Sequence, residues 1–387
     1  MDNIAGQKSG LSIVTNLSVV ALVLIWLIPT LGLFVSSFRD RDQISASGWW
    51  EAPFSVELSF RTRAEGDPVQ NADGLYVVEG NIFETSEVQE VFTSGAGEIA
   101  AFGTRGRAPG EFPAGEDAAF DDGETLRIDP DGTFVYTSVE EPGGRAQRVY
   151  FQALTPPSFT LDNYRTVLSS DGMDRAFINT LTVTIPATII PILIAAFAAY
   201  ALAWMEFPGR GLLIAAVVGL LVVPLQLALV PLLNLHNQVG IGQSFVGIWL
   251  AHTGFGLPLA IYLLRNYMVG LPRDIIESAK VDGATDFQVF VKIVLPLSFP
   301  ALASFAIFQF LWTWNDLLVA KVFLPSNSES WVMTVKIADD LLGSRGGDWG
   351  ILAAAAFISI AVPLIVFFTM QRYLVRGLLA GSVKRGH

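Results

Sequence analysis

The string Phe310-Leu-Trp-Thr-Trp-Asn-Asp316 sets two tryptophans, an amide and a carboxylate inside a long apolar run. A carboxylate is expensive in hydrocarbon, so Asp316 must face a bundle interior, a water-filled path or the membrane interface. Two chemistries fit. Trp312 and Trp314 can stack on a sugar ring while Asn315 bonds its hydroxyls, or Asp316 can act as the coupling carboxylate of an ion-driven secondary transporter. The favoured reading is plainer: the tryptophans form an interfacial belt, and Asn315 and Asp316 hydrogen-bond between helices. Enzyme chemistry has little to stand on. The sequence contains no G-x-x-x-x-G-K-[ST] phosphate loop, no H-E-x-x-H, no G-x-S-x-G and no dinucleotide fingerprint. With no cysteine and only His236, His252 and His387, no metal cluster is expected either.

A second stretch, 277–296, reads ESAKVDGATDFQVFVKIVLP and interrupts the apolar spans with polar sequence. Its grammar predicts two short helices with a break between them. Pro272 suits the first turn of the first helix, and Asp282-Gly283 ends it, because glycine accepts a left-handed backbone. Thr285 and Gln288 stand at capping-box spacing and restart a helix. Phe287, Phe290, Val291 and Val294 recur at helical spacing, which makes the second piece amphipathic. The result is a rigid elbow outside the membrane with an apolar face for a partner.

The pattern Glu277-x-Ala279-x3-Gly283-x9-Ile293-x-Leu295-Pro296 resembles the EAA loop of ABC-importer permeases, with Ser278 where a second alanine is usual. The segment Ser158-Phe-Thr-Leu-Asp-Asn-Tyr164 and the tail 371–384 are similar to those of maltose-type sugar permeases. The resemblance implies an all-α polytopic membrane protein of six transmembrane helices, the type I ABC-importer permease fold, carrying an inserted small β-rich periplasmic domain. It implies that Glu277, Ser278, Ala279, Asp282, Gly283, Ile293, Leu295 and Pro296 couple to a cytoplasmic ATPase. Gly381, Ser382, Val383 and Lys384 would enter the ATPase interface, and Asn327, Ser328 and Glu329 would begin a loop that meets the binding protein. The partners it implies are a second, homologous permease, an ATPase dimer that binds ATP and Mg, and a periplasmic sugar-binding protein. This chain itself would bind no cofactor. A large insert after the first span resembles the α-glucoside type of permease.

These residues must be positioned by apolar spans, and the composition provides them. The chain is 52% apolar and only 16% charged over 387 residues, a balance that belongs to an integral membrane protein with a soluble portion. Apolar runs fall at 11–34, 177–205, 211–234, 244–267, 299–323 and 350–374, each long enough to cross a bilayer, which takes about 20 residues. Residues 1–37 form the first of three parts, 38–157 the insert and 158–387 a five-helix core. That core holds the loop 272–296 and the tail 375–387. The insert carries alternating patterns at 54–60, 75–78, 91–93, 126–128, 134–136 and 149–154, the period of half-buried strands. The Gly-, Pro- and acid-rich 95–124 reads as a mobile loop.

Charge divides along the same lines. From 38 to 176 there are 11 Lys+Arg against 25 Asp+Glu, and the remainder is nearly neutral. Without a basic surface, nucleic acid is not an expected partner; membrane lipid is. Arg210, Arg265, Arg273, Lys280, Lys292, Arg372, Arg376, Lys384 and Arg385 all fall on one side of a six-span arrangement, the side expected in the cytoplasm of a bacterial inner membrane. Both termini then lie inside and the acidic insert outside. Arg39 and Arg41 conflict with this locally. The outer connection 325–350 is read as a polar surface loop, with the Gly-rich 343–347 as its flexible tip.

Overall fold

The computed structural model describes residues 10–85, 88, 98–120, 123–142, 147–341 and 348–380. It divides into two compact units, 1–163 and 164–387.

In the first unit, α1 (Gly10–Ser37) is apolar throughout and buries almost none of its side chains. Its end is fixed by Arg39, whose guanidinium is fully buried. It donates to the carbonyls of Gln43 (2.9 Å), Gly48 (3.2 Å) and Ser47 (3.3 Å) and to the Ser47 hydroxyl. These acceptors close the short α2 (Arg41–Ala46), which Asp40 caps by accepting the Asp42 N–H. The entry and exit of the insert are tied together at this point. Asn163 Nδ2 donates to the carbonyls of Ser37 and Arg39, and Gln43 Nε2 to that of Pro156. The arginine that conflicted with the charge rule thus has a structural duty at the neck.

Between the ties the described residues form nine strands: β1 (Val56–Ala64), β2 (Val69–Gln70), β3 (Tyr76–Asn81), β4 (Glu98–Gly103), β5 (Phe112–Pro113), β6 (Asp117–Ala119), β7 (Thr125–Ile128), β8 (Thr133–Ser138) and β9 (Gln147–Thr155). They pair antiparallel in two sheets, β1-β9-β4-β5 and β2-β3-β8-β7-β6. Both sheets feed one core built around Ile99, Phe102, Leu126, Ile128, Phe134, Val149 and Phe151. The Asp129-Pro-Asp-Gly132 turn joins β7 to β8 as its sequence predicts, with Gly132 N–H bonded to the Asp129 carbonyl. The expectation of a mobile loop over 95–124 is corrected: β4, β5 and β6 lie within it. They form because Ile99, Phe102 and Ala118 are buried and complete the core, Ile99 and Ala118 each between exposed neighbours. The strand expected at 91–93 lies outside the described residues.

The second unit is helical: α3 (Asp162–Leu168), α4 (Met173–Trp204), α5 (Arg210–Leu220), α6 (Leu225–Gln238), α7 (Phe245–Val269), α8 (Arg273–Val281), α9 (Asp286–Val289), α10 (Leu295–Leu297), α11 (Phe299–Trp314), α12 (Leu318–Phe323), α13 (Met333–Lys336) and α14 (Trp349–Ala380). By length and composition α1, α4, α7 and α14 can each cross a membrane. Two of the expected spans are not straight. The 211–234 run is α5 and α6, bent by 109°, and the 286–314 stretch bends by 69° before α11. The 299–323 run also breaks, at 315–317 between α11 and α12.

Prolines sit inside α4 and α14, and each frees the carbonyl four residues earlier from its helical donor. The freed groups find side chains on neighbouring helices. Pro186 frees Thr182, whose carbonyl accepts Trp249 Nε1 at 2.9 Å; Pro191 frees Ala187, which accepts Gln309 Nε2 at 3.1 Å. Pro363 frees Ser359, which accepts Trp314 Nε1 at 2.9 Å. A freed carbonyl is tolerated in hydrocarbon only where a neighbour restores its bond, so these three donors allow the prolines inside the two helices.

Candidate functional site

The elbow is built from α8, α9, a wide π turn over Phe290–Val294, and α10. Two interlocked hydrogen bonds close α8: Ala284 N–H reaches the Ala279 carbonyl (3.0 Å) and Gly283 N–H the Lys280 carbonyl (3.1 Å). This is the Schellman arrangement, which requires a left-handed residue after the cap. Gly283 supplies it at φ 85°. Ala279 and Ala284, the two ends of the longer bond, both pack against the membrane-helix core. The spacing from Ala279 to Gly283 is therefore the spacing of one helix terminator. Thr285 then restarts the chain with both halves of the capping box present. Across the break, Lys280 Nζ meets Asp286 Oδ1 at 2.8 Å, and the Tyr200 hydroxyl donates to the same oxygen at 3.3 Å.

The inner face of the elbow is Ile276, Val289, Phe290 and Val294, all at most 2% exposed. It seats against Ala195, Ala196, Ala199 and Tyr200 of α4 and Leu264 and Met268 of α7. Burying each such side chain stabilises the seat by about 1.5–3 kcal/mol, so the elbow moves with these helices as one body. The amphipathic face expected of Phe287, Phe290, Val291 and Val294 splits. Phe290 and Val294 turn inward, whereas Phe287 and Val291 stay exposed, as do Val281 and Ile275. The pattern missed this because the π turn over 290–294 breaks the 3.6-residue period. The turn also has a local cause. A proline in an α-helix clashes with the carbonyl four residues back, and the wide turn before Pro296 opens that space. Glu277, Ser278, Asp282 and Pro296 are exposed, while Ile293 and Leu295 are half-buried.

The Phe310–Asp316 string comes apart chemically. Trp314 is 1% exposed, stacks on Phe310 and bonds Ser359, so its indole has no face left for a sugar. Asn315 bonds the Leu311 carbonyl within its own helix. The Asp316 carboxylate accepts the Ala320 N–H at 3.0 Å, one of the free donors at the start of α12, and its own carbonyl accepts the Thr334 hydroxyl. Its charge is used at the helix break. Trp312 remains half-exposed, edge-on to His252. His252 is fully buried, and its Nε2 lies 3.9 Å from Asp316 Oδ2 beside a cavity of about 10 Å³ that Thr184 and Thr313 also line.

In the outer connection, Asn327 caps a short turn over Ser328–Ser330 by accepting the Ser330 N–H. Asn179 Nδ2 holds that turn through the carbonyls of Glu329 (2.8 Å) and Trp331 (3.0 Å), and Arg175 pairs with the Glu329 carboxylate at 3.2 Å. The connection is thus more ordered than a plain loop, with α13 inside it. Residues 342–347 lie outside the described residues. So do Gly381, Ser382, Val383 and Lys384 of the tail. Gln309, Trp249 and Asn179, which hold the bundle together, escaped sequence reading. The prolines four residues after the bonded carbonyls were the available signal for the first two.

Comparison with known proteins follows this architecture. Residues 175–379 match the family of binding-protein-dependent transport system inner membrane components. The chain is 59% identical to the alpha-glucoside transport system permease protein AglG of Rhizobium meliloti, over 98% of this chain and 99% of that one. It is 58% identical to the osmoprotective compounds uptake permease protein GgtD of Synechocystis sp., over 61% of this chain and 79% of that one. With the trehalose transport system permease protein SugB of Mycobacterium tuberculosis the identity is 38%, over 60% and 84%. A chain of a bacterial ABC transporter that imports alginate is similar at 24% identity and a TM-score of 0.48, over 57% and 81%. This chain belongs to the family of binding-protein-dependent transport system inner membrane components, ABC-importer permeases whose fold is helical with several apolar spans.

Proposed function

We propose that the chain is one permease subunit of a sugar importer of the bacterial inner membrane, and that its substrate is an α-glucoside or similar disaccharide. The observation that carries the mechanism is the elbow. Its inner face is locked to α4 and α7, and its outer face presents Val281 (87% exposed) and Phe287 (65% exposed) beside the free Glu277 and Ser278. A dimer of ATPase subunits, which binds ATP and Mg, docks on this outer face. Closure of the ATPases moves the elbow, and the elbow carries α4, α7 and α11 as a unit. The bend at 298 joins the elbow to α11, so that helix can follow the elbow without unravelling, and the bend at 221–224 gives α5 and α6 a hinge of their own. A second, homologous permease supplies the other half of the path, and α1, which buries almost nothing here, lies against it or against lipid.

In this reading both termini and the elbow are cytoplasmic and the β-rich insert is periplasmic; an even number of spans supports it, and the described helices allow up to six if each bent pair is one span. The outer turn at Asn327, Ser328 and Glu329 faces the binding protein. The substrate reading rests on the insert: the alpha-glucoside relative matches essentially end to end, whereas the matches to the other two relatives are about as long as the helical core alone. An ion-coupled transporter is disfavoured by the use of Asp316 as a cap.

The test is reconstitution with the partner permease, ATPase and binding protein in proteoliposomes, recording ATP hydrolysis against a panel of mono- and disaccharides. Stimulation by an α-glucoside, lost in Gly283→Pro, is the expected result. Stimulation by a different sugar class alone removes the substrate assignment and keeps the architecture.

A further inference from the structure

Over 45–155 the chain has seven arginines, no lysine and 20 acidic residues. Arginines in so acidic a setting have carboxylates within easy reach, and Arg127 takes them, pairing with Asp129 at 3.1 Å and Asp117 at 3.9 Å. Arg61, Arg63 and Arg148 do not. Among the described residues none of the three side chains has a hydrogen-bond or ion-pair partner. All three stand on the outer face of the β1–β9 pair, since Thr62, Ala64, Val149 and Phe151 between them point into the core. The register sets Arg63 directly opposite Arg148 and Arg61 opposite Tyr150. Like charges opposite each other across antiparallel strands are destabilising, and nothing in the fold requires them here. Instead Arg61, Thr62, Arg63 and Arg148 line one polar cleft of about 80 Å³. The β4–β5 loop closes in beside it: Gly106 approaches so near the Tyr150 ring that a Cβ there would lie 3.2 Å from it. That loop brings Arg105 and Arg107, both exposed.

We propose that this cleft is an oxyanion-binding site for a doubly charged tetrahedral group, phosphate or sulfate. Guanidinium forks match such oxygens two at a time, and an anion between them turns the Arg63–Arg148 repulsion into a bridge. Three guanidiniums suit a dianion better than a carboxylate, whose single charge leaves the cleft strongly positive. The group arrives either as a free ion or on a lipid headgroup.

The test uses the full-length chain, without partner subunits, so that its failure says nothing about the importer reading. Thermal unfolding midpoints are measured in inorganic phosphate, sulfate and chloride at matched ionic strength. The wild type is expected to rise stepwise with phosphate, as mass action on the folded state requires. Arg148→Gln is expected to have the higher midpoint in chloride, because a repulsion is gone, and no phosphate response. That opposite pair of effects separates loss of a site from misfolding. Arg127→Gln, on the other sheet, should keep the wild-type response. The same titration in nanodiscs identifies the source. A midpoint raised by phosphatidic acid, whose phosphomonoester can carry two charges, over phosphatidylcholine, with no further rise on adding phosphate, assigns a headgroup; an equal phosphate rise in both assigns the free ion. A phosphate response absent from the wild type, or equal in wild type and Arg148→Gln, overturns the proposal.

Discussion

Replacing Gly283 separates backbone conformation from packing at the elbow. Its φ of 85° lies where a Cβ costs about 1–2 kcal/mol, yet an ideal Cβ built there meets no atom within 4 Å. Within this chain Gly283→Ala therefore carries only the conformational cost, a factor of roughly 5–30 in the population of the intact break. Asparagine tolerates the left-handed region better, so Gly283→Asn should cost less than alanine. Gly283→Pro is different in kind. Proline fixes φ near −65° and removes the N–H that reaches the Lys280 carbonyl at 3.1 Å, so the Schellman closure cannot form. The assay is sugar-stimulated ATP hydrolysis by the reconstituted complex, with assembly checked by size-exclusion chromatography. The expected order of coupled activity is Gly, then Asn, then Ala, with Pro inactive. Alanine as damaging as proline would refute the backbone argument, because the obstruction would then come from the docked partner pressing on that Cα. Proline at full activity would remove the elbow from the coupling path.

Trp314→Phe keeps an aromatic ring against Phe310 but removes the indole N–H that donates to the carbonyl that Pro363 frees. A loss of about 1–2 kcal/mol in stability is expected, read as a lower thermal midpoint, with sugar specificity unchanged. Asp316→Asn retains an oxygen for the Ala320 N–H and should transport nearly as well as wild type. Asp316→Ala should lose about 1 kcal/mol of stability. A folded but inactive Asn variant would instead support an ion-coupled carboxylate. In the β unit, burial pushes the Tyr136 hydroxyl up to about 12 from 10.0. The unfolded chain thus ionises first, so the unit's stability should fall as pH rises from about 10 towards 12. Tyr136→Phe should flatten that segment of a pH-dependent unfolding curve.

The parts legible in sequence were those whose geometry is fixed locally. A helix terminator needs Gly283 four residues after Ala279, and a capping box needs Thr285 and Gln288 three apart; both can be read without knowing what they touch. The apolar runs located the long helices α1, α4, α7 and α14 for the same reason, since length against bilayer thickness is a local quantity. Strand alternation gave most of the insert, and failed over 95–124, where short strands are stabilised by a core assembled from distant residues.

What stayed hidden depends on where a helix stops being regular. The Phe310–Asp316 string looked like one chemical cluster because a continuous helix was assumed. The break at 315–317 separates Trp314, turned to Ser359, from Asp316, turned to the start of α12. The elbow's apolar face divided for the same reason at the π turn. Prolines signal these departures but not their resolution. Pro186, Pro191 and Pro363 each announce a free carbonyl, while the donor comes from a helix about 45 to 122 residues away. A transporter must bend its spans and still leave no backbone group bare in hydrocarbon. The residues that reconcile those demands, Trp249, Gln309 and Trp314, read as ordinary membrane side chains until the neighbouring helix is in place. Their bonds join α4 to α7, α4 to α11 and α11 to α14, the helices that must tilt together if the elbow is to move the path.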